Sequence, residues 1–152
     1  MTLRPRRESG FTLVELVVVL FILALATGLT LPAVGRGVEN LELRAQAAGV
    51  GAFLRYGREQ AITRRRAHQV QVDPEAHRLT LLPLGSESPK ARKQLSPRIR
   101  IGLDPPDART VTFSPQGFSS GASLRLEARG GSVYRVTVDP ITGRVSSSRE
   151  AG

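Results

Sequence analysis

A single carboxylate lies within a long uncharged stretch near the start of the sequence. From Phe11 to Val34 the chain runs for 24 residues that are mostly apolar, and Glu15 is the one charged residue among them. Inside a bilayer an acidic side chain costs about 2.5–3.5 kcal/mol on insertion scales, because the ion loses its hydration. We therefore expect Glu15 to have a positively charged partner.

The second notable feature of the sequence is its excess of positive charge, to which arginines contribute. The chain of 152 residues has a formal net charge of +9. A basic surface can bind nucleic acid, anionic lipid or an acidic protein, although the arginine bias of a GC-rich genome would produce the same balance. Arginines near the C-terminus are candidates for contact with DNA or a protein partner: Arg125, Arg129, Arg135, Arg144 and Arg149.

Residues for catalysis and metal binding are sparse. The sequence has no cysteine and two histidines, His68 and His77. We expect both histidines at the surface or at a strand edge, where they could be cross-strand neighbours. No Asp, Glu or Cys accompanies them at ligand spacing, and no G-x-S-x-G motif or acid pair is evident. The sequence therefore predicts a protein that is not an enzyme and that binds no metal and no cofactor.

The stretch 11–34 is the first predicted element. At about 1.5 Å per residue, its 24 residues would form a helix about 36 Å long, which exceeds the hydrocarbon core of about 30 Å. We predict a transmembrane helix here. Arg4, Arg6 and Arg7 precede it, and because basic flanks stay in the cytoplasm, the C-terminal part should lie outside, in the periplasm of a diderm bacterium.

Residues 35–66 are predicted to continue this helix in amphipathic form. Apolar and small residues recur near i, i+3 and i+4 spacing and predict one buried stripe, formed by Leu41, Ala45, Ala48, Ala52, Phe53 or Leu54, Tyr56, and Ala61 with Ile62. Arg64, Arg65 and Arg66 close the helix, where they either offset the negative end of its dipole or contact a polyanion.

After residue 66 the apolar period changes from 3.6 to 2, which is typical of strands. The pattern predicts a hairpin and five further strands, at 68–72 with 77–82, and at 98–103, 110–113, 122–128, 133–138 and 144–146. Pro83 to Pro97 is rich in Pro, Ser, Gly and Lys, so we predict a loop there. Residues 67–152 are therefore expected to form two small antiparallel sheets or one bent sheet.

The fold class that follows is α+β. A long N-terminal α-helix, with a membrane half and an amphipathic half, would pack on a C-terminal antiparallel β-sandwich.

The junction between the basic start and the apolar run carries a recognisable motif. Gly10-Phe11-Thr12-Leu13-Val14-Glu15-Leu16 closely resembles the processing motif of type IV pilins and pseudopilins. The resemblance implies that residues 1–10 are a leader, that a prepilin peptidase cleaves after Gly10, and that the new terminus on Phe11 is N-methylated. It also implies that Glu15 serves filament assembly by neutralising the Phe11 amine of an adjacent subunit.

Two later segments narrow the resemblance. Phe113–Gly121 and Val138–Val145 are similar to the GspH/FimT group of minor pseudopilins and pilins. This resemblance implies a minor pseudopilin of the type II secretion system that enters the periplasmic pseudopilus driving protein export across the outer membrane. The implied partners are the major and other minor pseudopilins, the prepilin peptidase and an inner-membrane assembly platform. The implied location is the inner membrane, crossed once.

A second function is implied by the same group. FimT-like minor type IV pilins bind DNA during natural transformation and tend to show a G-R-x-R tail motif. In this chain Gly143-Arg144-Val145 is followed by Ser146 where the second arginine would stand. Secretion is therefore the leading interpretation and DNA binding the alternative.

Overall fold

The computed structural model describes residues 11–150, without the side chains of residues 28–36. One helix, α1 (Leu13–Thr63), precedes eight strands, which are β1 (His68–Asp73), β2 (Arg78–Pro83), β3 (Ala91–Gln94), β4 (Ile99–Asp104), β5 (Thr110–Phe113), β6 (Ala122–Ala128), β7 (Val133–Val138) and β8 (Val145–Glu150). The predicted α+β class is confirmed. The chain divides between Gly37 and Val38 into two compact units.

Capping by Thr12 begins α1. Its backbone carbonyl accepts a hydrogen bond from Leu16 N at 3.1 Å, and its Oγ1 accepts one from Glu15 N at 3.3 Å. Thr12-x-x-Glu15 is thus the S/T-x-x-E sequence of a capping box, with the acidic residue near the positive end of the helix dipole. Side chains from Phe11 to Thr27 are exposed in the single chain. Within the described residues, no helix has both the length and the mean hydropathy needed to cross a membrane.

The second half of α1 packs through one stripe of side chains. The fully buried positions follow i, i+4, i+7 spacing, at Leu43, Ala47, Val50, Leu54 and Ala61. The predicted stripe is confirmed at Leu54 and Ala61 but is wrong at Leu41 and Tyr56, which are exposed, and it missed Leu43. Gly57 is also buried on this stripe, and glycine gives no hydropathy signal there. A Cβ at buried Gly57 would lie 3.1 Å from Val70, so α1 packs closely against the first sheet at a residue that has no side chain.

The strands form two antiparallel sheets of four. One sheet has the order β3-β2-β1-β5 and the other β4-β6-β7-β8. The predicted hairpin is confirmed as β1–β2, and β6, β7 and β8 follow one another in the second sheet. Two pairings join strands far apart in sequence, β1 with β5 and β4 with β6. Both sheets and α1 contribute side chains to a single core, among them Val70, Leu81, Leu124 and Val136.

The segment predicted as a loop, Pro83 to Pro97, contains a strand. β3 pairs antiparallel with β2, placing Lys93 opposite Leu79, and the following Leu95 is buried. The prediction missed this strand because Ala91–Gln94 shows no apolar alternation. As an edge strand, β3 obtains its hydrogen bonds from β2 and carries charged side chains that discourage further pairing.

The two histidines differ from their predicted setting. His68 lies at the open end of the β1–β2 hairpin, paired in register with Pro83, whereas His77 lies in the turn. They are therefore not cross-strand neighbours. His68 is also buried, at 2% exposure, so the surface prediction was wrong for it.

Candidate functional site

The N-terminal candidate residues lie at the start of α1. Gly10 and the leader lie outside the described residues, whereas Phe11 is 74% exposed. Glu15 is exposed in the first turn of α1 and forms no ion pair with any residue that the structure describes. The predicted partner of Glu15 on another subunit thus stays a prediction.

Two of the five C-terminal arginines meet on the outer face of the second sheet. Arg125 on β6 lies directly opposite Arg135 on β7, where two like charges would repel. Glu150 on β8 relieves this repulsion, since its Oε2 lies 3.3 Å from Arg125 Nε and its Oε1 accepts a hydrogen bond from Arg135 Nε. One carboxylate therefore joins both guanidinium groups.

Further contacts complete this network at Arg135. Its Nη1 donates to Ser123 Oγ at 3.0 Å and lies 3.3 Å from Asp104 Oδ2. Hydrogen bonding to Glu150, with a smaller contribution from Asp104, raises the pKa of Arg135 above its usual range. With two carboxylates against two guanidinium groups, the network offers little net positive charge to a phosphate.

The other three arginines lie apart from this network. Arg129 lines a cavity of about 220 Å³ together with Glu39, Glu42 and Arg98. Arg144 follows the turn before β8, and Arg149 lies on β8 opposite Tyr134. The structure therefore joins Arg125 and Arg135 through Glu150 and places the other three candidate arginines elsewhere on the domain.

The two C-terminal segments that resemble the GspH/FimT group, Phe113–Gly121 and Val138–Val145, contact each other. Ser119 N donates to Pro140 O at 3.0 Å, which joins the loop after β5 to the loop after β7. A Cβ at Gly143 would lie 2.2 Å from Gly117 O, and Gly143 has φ 61°, so this position requires glycine. Arg58 of α1 donates from Nε to Gly117 O at 3.1 Å and holds the paired loops against the helix. Its role was missed, because no sequence pattern links residue 58 to residue 117.

Asp139 organises the second of these loops. Its Oδ1 accepts hydrogen bonds from Thr142 N at 2.7 Å, Thr142 Oγ1 at 2.8 Å and Ile141 N at 3.0 Å. These donors, led by the Thr142 N–H, lower the pKa of Asp139 below its ordinary value. The turn residues are thus accounted for by local hydrogen bonding, and the turn leaves Ile141 73% exposed.

Side chains that commonly bind metals do not cluster among the described residues. In the part of the chain that the structure describes, no group of three or more His, Cys, Asp and Glu side chains could hold a metal ion. The charged groups described above form surface ion pairs and turn hydrogen bonds.

Two family models match the chain. That of the prokaryotic N-terminal methylation motif covers residues 5–31, and that of type II transport protein GspH covers residues 46–143. Type II secretion system protein H of Xanthomonas campestris pv. campestris is 30% identical over 144 residues, which is 93% of this chain and 84% of that protein.

Solved structures share the fold. The type IV minor pilin FimU of Pseudomonas aeruginosa superposes with a TM-score of 0.60 at 21% identity, over 72% of this chain and 90% of FimU. The minor pseudopilin EpsH from the type 2 secretion system of Vibrio cholerae gives a TM-score of 0.59 at 18% identity, over 71% of this chain and 97% of EpsH. At these identities the likeness establishes the fold alone.

Proposed function

The chain belongs to the family of type II transport protein GspH, and from that premise we propose that it is a minor pseudopilin of the type II secretion system. The resemblance seen in the leader motif and in the two C-terminal segments is confirmed at the level of the family. The observation that carries the proposal is the match to type II secretion system protein H, which extends over 93% of this chain.

In this function the chain acts as a building block. Residues 11–34 would hold it in the inner membrane, and the β domain would lie in the periplasm. The proposed partners are the prepilin peptidase, the major and other minor pseudopilins of the pseudopilus, and the inner-membrane assembly platform. Its contribution to export across the outer membrane would be structural, without catalysis.

Assembly would depend on the charges at the processed end. Cleavage after Gly10 leaves a positive amine on Phe11, and Glu15, four residues further along the chain, would neutralise this amine on a neighbouring subunit. In the low-dielectric interior of a helix bundle, a carboxylate without a partner is strongly unfavourable, so the pair favours one axial stagger between subunits. The exposed first turn of α1 leaves the Glu15 side chain available for this contact.

The experiment that tests the proposal examines maturation in the native host. We expect mass spectrometry of the cellular protein to find methylated Phe11 as its first residue, and Gly10→Ala to leave the longer precursor and to stop export of the secreted proteins. An intact leader on the wild-type chain, or normal export by Gly10→Ala with the leader retained, would exclude the proposal.

DNA binding is the second candidate function. It is supported by the net charge of +9 and by Arg129 and Arg149, which form no ion pair with the described residues. Titration of the full chain in detergent with duplex DNA at several salt concentrations tests it, because phosphate contacts weaken steeply with salt. Absence of binding at low salt would exclude this function and leave the secretion proposal unaffected.

A further inference from the structure

A basic cavity lies where α1 ends beside the β1–β2 hairpin. It has a volume of about 320 Å³, and the polar and charged side chains that line it are Tyr56, Gln60, Arg64, Arg66, His68 and Lys90. Tyr56 and Gln60 come from the last turns of α1, whereas Lys90 is held near the hairpin by its backbone hydrogen bond to Leu81 O at 2.8 Å. Three segments of the chain thus contribute to one concave surface.

The end of the helix directs two arginines to this cavity. Arg65 adopts φ 49°, Arg65 N donates to Ile62 O, and Arg66 N donates to Ala61 O, both at 3.2 Å. This pattern is a Schellman motif, which usually has glycine at the position of Arg65. The turn places Arg64 and Arg66 at the cavity, and Arg66 is fixed further by donation from its Nη2 to Leu84 O at 3.1 Å.

His68 supplies a buried polar atom at the same cavity. Its Nδ1 lies 2.8 Å from Arg66 O, and because a carbonyl only accepts, Nδ1 is the donor. In the neutral ring Nε2 is then an acceptor, so His68 can donate to an anion only as the imidazolium. His68 lines the cavity although only 2% of its surface is exposed, so its ring can report on whether the cavity is occupied.

The charges of the cavity have no counterpart. No acidic residue lines it, and Arg64, Arg66 and Lys90 form no ion pair with the described part of the chain. Three cations thus line a space that no acidic side chain lines. An anion placed there would gain charge-assisted hydrogen bonds, and Arg guanidinium groups suit the two oxygens of a carboxylate.

We propose that this cavity binds the carboxylate of an Asp or Glu side chain from another protein. A concave site of this size, lined by Tyr56 and Gln60 beside the cations, fits one projecting side chain. A DNA duplex would instead need a row of cations along an open surface. The inference rests on the proposed function only in taking a neighbouring subunit as the source of the carboxylate.

The test uses the full chain in detergent micelles and an acetylated, amidated tri-glutamate peptide as the probe. The chain has two histidines, so the imidazole signals of His68 and His77 can be followed together by NMR. We expect the peptide to shift the His68 signal and to leave that of His77, in the β1–β2 turn, unchanged. An unchanged His68 signal at saturating peptide would overturn the proposal.

Matched variants separate the cavity from general charge. We expect Lys90→Ala and Arg64→Ala each to weaken peptide binding about tenfold, as for loss of a hydrogen bond between charged groups. Arg100→Ala removes the same charge from the exposed face of β4, on the other sheet, and should leave binding within about twofold. Equal weakening by Arg100→Ala would show nonspecific attraction and overturn the proposal.

Duplex DNA provides the remaining comparison. If DNA displaces the peptide and depends on Lys90 and Arg64 to the same extent, the cavity is a phosphate site and the proposal is wrong. These measurements are made on the isolated chain. A negative result would overturn the carboxylate site alone, whereas failure of the secretion proposal would be seen as an unprocessed leader in the native host.

Discussion

Glu150 changes what Arg125 and Arg135 can do. From the sequence, these two arginines belong to a basic C-terminal group, and nothing in their neighbours along the chain predicts a partner. In the structure one carboxylate on the last strand contacts both. The residue that determines their net charge lies 15 positions from Arg135 in sequence, and only strand pairing brings it near.

Asp139 leads to a prediction about acid stability. Its pKa is lower in the folded chain than the ordinary 3.8, so its contribution to stability is complete above that value and is lost as pH falls through the folded pKa. We expect Asp139→Asn to show a shallower fall in the free energy of unfolding below about pH 4, measured on the full chain in detergent by chemical denaturation. Asp107→Asn, at an exposed loop carboxylate, should keep the wild-type slope; a shared change would contradict the prediction.

At the scale of elements, the end of α1 depends on an unusual residue. Arg65 adopts φ 49°, a conformation that is unfavourable for a side chain with a Cβ and favourable for glycine. The hydrogen bonds of the Schellman motif hold it there. These hydrogen bonds must therefore offset the backbone strain at Arg65.

Replacing Arg65 tests this account. We expect Arg65→Gly to raise the free energy of unfolding by about 1 kcal/mol, because glycine removes the strain of the left-handed conformation. Arg65→Ala removes the same charge but keeps a Cβ, so it should give no such gain. If both variants stabilise equally in denaturant titrations, relief of repulsion among the neighbouring arginines is the cause instead.

The contact between α1 and the first sheet gives a second prediction at this scale. A Cβ at Gly57 would meet Val70 at 3.1 Å and Leu81 at 3.3 Å. We expect Gly57→Val to lower the free energy of unfolding by about 1–3 kcal/mol through overpacking, despite the better helix propensity of valine. Ala52→Val, on the exposed face of α1, should cost less than about 0.7 kcal/mol. Similar losses at both positions would mean that packing at Gly57 is not limiting.

Considering the whole molecule, the two ends of the chain have separable roles. The first turn of α1 carries the group proposed for assembly, and the β domain carries the surfaces proposed for partners. Folding of the domain does not use the Glu15 side chain, which is exposed. Loss of that carboxylate should therefore affect assembly and leave the fold intact.

Glu15→Val tests this separation. We expect the variant to be processed and inserted, but to co-purify with other pseudopilins far less than the wild type, because the neighbouring amine loses its partner. Glu8→Ala is the control, since it removes an acidic group from the leader and leaves the processed chain identical. Unchanged co-purification of Glu15→Val would argue against a role for this carboxylate in assembly.

The order of elements apart from β3, the β1–β2 hairpin and the leader motif could be predicted from the sequence. Their signals are local, because helix caps, turn residues and apolar alternation act over a few positions. The face of α1 was predicted only in part, because Leu54 and Ala61 are buried as expected, whereas buried Leu43 and Gly57 were missed and glycine carries no hydropathy signal. β3 escaped for a related reason, as its residues pair at an edge without apolar alternation.

The remaining features of the fold depend on contacts between residues far apart in the sequence. The pairing of β1 with β5 and of β4 with β6, the junction of the two C-terminal loops, and the burial of His68 each join residues that lie far apart along the chain. Sequence patterns report which face a residue prefers, but they do not report which distant strand supplies its hydrogen bonds. For this protein the sequence alone indicated the family and the order of the elements apart from β3. Tertiary packing determined which charged side chains form ion pairs and which do not.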